Sequence, residues 1–145
     1  MNRLAAGLAA AALLLFGGAA FAQASARKAP PVGLNGIDPV SYFDPGKPAQ
    51  GAADISYDFD DVRYHFVSQK HRATFASDPE RYSPQFGGLC AAGLSNGMKA
   101  VADPHVFRIV DGKLYVFSST AAREKADKDP TLLKRAHQVW NQEHR

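Results

Sequence analysis

Cys90 is the only cysteine in a chain of 145 residues that opens like an exported protein. Met1 to Arg3 form a short basic start, Leu4 to Phe16 an apolar run rich in Ala and Leu, and Ala20-Phe21-Ala22 a small-x-small cleavage site. These are the three parts of a secretory signal peptide. They predict removal of residues 1–22 and a mature, periplasmic or secreted protein beginning at Gln23. An uncleaved anchor is the alternative. However, Leu4 to Ala22 is barely long enough to span a bilayer, contains three Gly and is followed by no stop-transfer charge cluster. The mature protein is thus expected to have no stable membrane insertion. An oxidising compartment with a single thiol excludes an intramolecular disulfide, so the fold must rest on its own core. The thiol is then buried and inert, paired between chains, or bound to a ligand.

With 46% hydrophobic residues and 21% charged, the chain has enough apolar surface to bury and is not a disordered polymer. Its length fits one domain. Without Arg3 the balance is 16 Lys and Arg against 14 Asp and Glu, alternating in sign. A nucleic-acid binder would instead cluster its basic residues on one element. Residues 23–31 form a polar, Pro-ending linker, and the domain runs from Val32 to Arg145.

Within the domain, Asp38-Pro39 starts a short helix over Pro39–Tyr42, with Asp as cap and Pro in the first turn. Asp44-Pro45-Gly46 ends it in a turn. Ile55, Tyr57 and Phe59 alternate with polar residues as in a half-buried strand. After an Asp60-Asp61 turn, Val62, Tyr64 and Phe66 alternate again, with Arg63 and His65 on the opposite face. Ser68 is placed to cap a helix over 69–76 with Phe75 facing the core, and Asp78-Pro79 starts a further turn. The small-residue stretch from Phe86 to Gly93 fits either helix or loop. Val106–Val110, Asp111-Gly112 and Leu114–Phe117 spell a tight hairpin. Thr120 is placed to cap a helix over 121–127, and Asp129-Pro130 to start another reaching Glu143. Leu132, Leu133, Ala136, Val139 and Trp140 give that last helix a core-facing stripe. The expected fold is a small α+β domain of antiparallel hairpins and short helices, with the C-terminal helix packed on the sheet. No internal repeat is expected.

Two stretches carry a family likeness: Gly36-Ile37-Asp38-Pro39-Val40-Ser41-Tyr42-Phe43, and Tyr64-His65-Phe66-Val67-Ser68 with Phe75 and Asp78-Pro79-Glu80-Arg81-Tyr82. Together they resemble the YHS domain. The longer pattern, with "NGIDPVSYF", "PQFGGLCAAGLSNG" and "VDGKLYVF", resembles the exported members of that family. The resemblance implies a small α+β domain that binds metal, copper among the candidates, with no established reaction. It also implies departures. The metal-linked members carry Asp-Pro-Val-Cys where this chain has Ser41 in the last place. Their later Cys pair falls on Val67 and His71.

A closed four-thiolate zinc site is excluded by count. The soft and imidazole donors available for copper or a related metal are Cys90, His71, His65 and His105, with Met98 as a thioether. His71 has the resemblance behind it, and no H-x-x-x-H spacing offers independent support. Two readings follow. One is a non-enzymatic periplasmic protein that binds copper or another soft metal through Cys90 and His71, with His65 and His105 as further ligands. The other is a metal-free module that binds a small molecule or a protein partner, with Cys90 packed in the core. Cys90 has no charged neighbour in sequence and no resolving cysteine, which argues against thiol–disulfide chemistry. Gly87-Gly88 is followed by no Lys-Ser/Thr and forms no phosphate loop.

Overall fold

The computed structural model describes residues 28–44 and 47–144. The predicted signal peptide, most of the predicted linker and the predicted turn at Pro45-Gly46 lie outside the described residues. The fold is α+β, as the alternating strands and capped helices require. Strand β1 (Ala52–Phe59) pairs antiparallel with β2 (Val62–Phe66), and β3 (Asp103–Val110) with β4 (Lys113–Phe117). Both hairpins turn through residues at positive φ, Asp60-Asp61 in the first and Asp111-Gly112 in the second. Asp, Asn and Gly tolerate that backbone region best, which is why these dipeptides close the turns.

Helix α1 (Gln69–Ser77) is capped as expected: Ser68 Oγ accepts from the backbone N–H of His71 at 3.1 Å. Asp78 caps the short α2 (Pro79–Tyr82). Phe86 to Gly93 resolves into a 3-10 turn at Gln85–Gly88 and a single helical turn, α3 (Ala91–Leu94). Two expected boundaries shift. Helix α4 (Thr120–Lys128) is capped by Ser119, not Thr120, because the Ser119 hydroxyl is the one that reaches the N–H of Ala122, at 3.1 Å. Helix α5 (Leu132–Glu143) begins two residues after Pro130, since Asp129 spends its carboxylate on the N–H and hydroxyl of Thr131 in a preceding turn. The predicted stripe on α5 does face inward, with Leu132 and Ala136 buried and Leu133, Val139 and Trp140 packed beside them.

The expectation that the chain lacks an internal repeat is overturned. The same series of elements occurs twice: a 3-10 turn, a short capped helix, a bulged antiparallel hairpin, and a Ser-capped helix ending at Asp-Pro. The second copy follows the first by 51 or 52 residues, so Tyr64-His65-Phe66-Val67-Ser68 matches Tyr115-Val116-Phe117-Ser118-Ser119, and Asp78-Pro79 matches Asp129-Pro130. Loop bonds repeat as well. Asp38 N–H donates to the Ala49 carbonyl and Cys90 N–H to that of Ala100, each at 2.9 Å. The likeness was hidden because few side chains coincide, whereas the caps and turns that set the backbone do.

Each half has its own core, and β4 serves both. Leu114 and Val116 join Tyr42, Tyr64, Phe66 and Phe75 in one cluster, while Tyr115 and Phe117 join Phe86, Leu94, Leu132 and Ala136 in the other. Alternate residues of a strand point to opposite faces, so a strand buried on both sides reads as a continuous apolar run. Its counterpart β2 keeps Arg63 and His65 on the face where β4 has Leu114 and Val116.

Candidate functional site

The two halves place an acceptor side chain at the same backbone position. In the first half it is Asp38, whose side chain has no exposed surface. One carboxylate oxygen accepts from Val40 N–H at 2.8 Å. The other accepts from Val67 N–H at 2.9 Å and lies 2.7 Å from His71 Nδ1. This contact occupies Nδ1, so Nε2 is the ring nitrogen left for a ligand. His71, in the first turn of α1, has a side chain only 16% exposed and bonded to a buried acid. Ser41 is structural: its hydroxyl donates to the Asp38 carbonyl at 2.6 Å and accepts from Ala49 N–H at 3.0 Å.

In the second half the acceptor is Cys90. Its Sγ lies 3.5 Å from Gly93 N and 3.4 Å from Ser118 Oγ. Burial pushes the thiol pKa up, but hydrogen bonding with the Ser118 hydroxyl, to which Sγ donates, and with the backbone at Gly93, Ser118 and Ala92 outweighs it, so the net shift is downward. Ala92 and Ser118 are the counterparts of Val40 and Val67, the residues whose N–H groups bind Asp38. The counterpart of His71 is Ala122, so no imidazole reaches Cys90 from that helix.

A solvent-open cavity of about 460 Å³ lies over this second position. Cys90 and Ser118 line it, Ala122 and Lys125 come from α4, Arg135 from α5, and Met98 from the loop after α3. Cys90 is itself only 1% exposed, so it touches the cavity through a narrow opening. Native Cys90 should therefore react with iodoacetamide roughly 100-fold or more slower than in urea, because attack waits on local opening. Comparable rates in the two conditions, followed by mass spectrometry, would show a freely accessible thiol.

The remaining candidates lie apart from this cavity. His65 pairs across the first hairpin with Ser56, and its Nδ1 sits beside Gly36. His105 is exposed on β3, where its backbone N–H is bound to Asp103. Of the soft donors, the cavity brings together Cys90 and Met98 only. Among the described residues no group of three or more His, Cys, Asp and Glu side chains is arranged to hold a metal ion. None of the described helices is long and apolar enough to cross a membrane. The sequence marked Asp38 only as a helix cap and missed its contact with His71. The available signal was the Ser-capped helix recurring 51 residues on, which aligns His71 with Ala122.

No family model, curated protein or solved structure matches the chain.

Proposed function

We propose that the protein is a non-enzymatic, exported binding module that holds a small molecule in the cavity between α3, α4 and α5. The carrying observation is the cavity's lining, in which Ala92, Ala100, Ala122 and Leu132 stand beside Lys125, Lys128 and Arg135, in a volume of about 460 Å³ within the roughly 300–1,000 Å³ usual for small-molecule sites. The cavity offers little for catalysis. Its lining contains no histidine, and its carboxylate, Asp129, is bound to Arg135 at 2.8 Å. A nucleophilic Cys90 would need a base within reach. The resemblance to exported YHS-domain proteins supports export and a small binding domain.

A second reading keeps the metal. Cys90 and Met98 line one cavity, and thiolate with thioether is a donor pair that suits Cu(I). In that reading the His71, His65 and His105 rings lie outside the site.

Amide and methyl NMR of the exported chain distinguishes the two. Six-carbon probes, neutral and charged, should shift the signals of Gly93, Ala122 and Met98 saturably, with Cu(I) under a competing chelator leaving them in place. Stoichiometric Cu(I) uptake lost in Cys90→Ala, with no response to any organic probe, transfers the site to the metal. No response to either retires both readings.

A further inference from the structure

We propose that the molecule held in this cavity is a small amphiphilic anion, a monocarboxylate with an apolar body. The inference rests on the cavity being a ligand site and adds the chemistry of the ligand. Three cationic side chains, Lys125, Lys128 and Arg135, line the cavity against one carboxylate, Asp129. Arg135 and Asp129 neutralise each other. Their ion pair is 2.8 Å long, and Asp129 is also held by the N–H and hydroxyl of Thr131. The Arg135 guanidinium and these bonds draw the Asp129 carboxyl down to about 2, so it stays ionised and committed to Arg135.

That leaves Lys125 and Lys128, which form no ion pair among the described residues. They stand three apart on α4, so both reach the same side of the helix. The last turn of a helix favours cations through its dipole, which explains why lysines are tolerated there. It does not by itself place both in the lining of one cavity. The same lining offers apolar surface from Ala92, Ala100, Ala122, Leu132 and the exposed Met98, interrupted by the polar Ser95, Asn96 and Ser118. Two uncommitted cations beside apolar lining complement a carboxylate carrying a short hydrocarbon. An amine of the same shape meets like charge, and an alcohol gains the apolar contact alone.

Titration of the full chain with hexanoate, hexanol and hexylammonium, read at the Gly93 and Ala122 amides, tests this. Hexanoate should bind about 10-fold or more tighter than hexanol at low salt, with hexylammonium the weakest. The advantage should shrink at 0.5 M NaCl, about the range where screening falls to a few ångströms. Lys125→Gln with Lys128→Gln should abolish the advantage and leave hexanol binding in place, which also shows that the double variant is folded. Equal affinities for hexanoate and hexanol, or an advantage that survives the double substitution, would overturn the anion and leave the cavity as a site for neutral ligands. Failure of all three probes would bring down both.

Discussion

Asp38→Ala should lower the free energy of unfolding by about 3–5 kcal/mol, the range for breaking a buried, fully bonded charged group. Three donors lose their acceptor at once. Val40 N–H loses the cap of the first short helix, Val67 N–H is stranded at the end of β2, and the His71 ring loses the carboxylate that orients it. Nothing else in the fold stands ready to take them, because the Asp38 side chain is wholly enclosed. Loss of a cap alone costs about 1 kcal/mol, and each stranded buried donor adds about 1–3 kcal/mol. Asp38→Asn should cost less, since its amide oxygen can still accept one of the backbone bonds. His71→Ala should cost about 1–2 kcal/mol, since it leaves the acid with two backbone donors. From sequence, a residue in the first turn of α1 would be expected to contribute almost nothing. Urea unfolding with unchanged m-values measures all three. A loss below about 1 kcal/mol for Asp38→Ala would mean that water replaces the three donors' partner without penalty.

Local chemistry made most elements legible. Ser68 and Asp78 cap where their side chains reach the second or third N–H, and the alternation of Tyr64 and Phe66 marks a strand with one buried face. Legibility failed where a residue's role depends on what comes near it through the fold. Asp38 and His71 are 33 positions apart, and no spacing rule predicts their contact. Cys90 looked like an inert core thiol among small neighbours, and it is nearly sealed. What sequence did not show is that it caps a helical turn, with hydrogen bonds that favour its thiolate. The cavity depends on three segments, around Met98, Ala122 and Arg135, whose meeting follows from the packing of α5 on α3.

The duplication turns these differences into a comparison within one molecule. One backbone position holds a carboxylate that is covered by a histidine in the first half. In the second it holds a thiol beside an alanine. The first arrangement consumes its acceptor internally and contributes stability. The second leaves open space next to Ala122 and Cys90, lined also by Lys125 and Lys128. On the proposed reading, binding and stability are divided between two copies of one plan. A substitution in the first half should be felt mainly in unfolding, one at the cavity mainly in ligand affinity.

Phe75→Ala makes that division measurable from the apolar side. Phe75 is fully buried on α1, and its ring lies 5.0 Å from Tyr64, 5.2 Å from Phe66, 5.8 Å from Tyr57 and 6.3 Å from Phe59, centroid to centroid. It is the ring around which both strands of the first hairpin are arranged. Truncation removes the burial of a large aromatic and leaves a void that four rigid rings cannot close, a loss of about 3–5 kcal/mol. For a domain of this size that corresponds to a fall in melting temperature of roughly 10 °C or more. Phe75→Leu should recover part of it by filling some of the void. The counterpart of Phe75 on α4 is Ala126, because the second core takes its bulk from Phe86, Phe117 and α5. The two clusters meet at β4, whose Leu114 and Val116 face the first and Tyr115 and Phe117 the second. Well below its lowered melting temperature, then, Phe75→Ala should leave the Gly93 and Ala122 amide signals in place. A melting temperature within a few degrees of wild type would mean that the first core re-collapses. Shifted amides around the cavity would mean that β4 couples the halves rigidly, so that binding and stability are not divided between them.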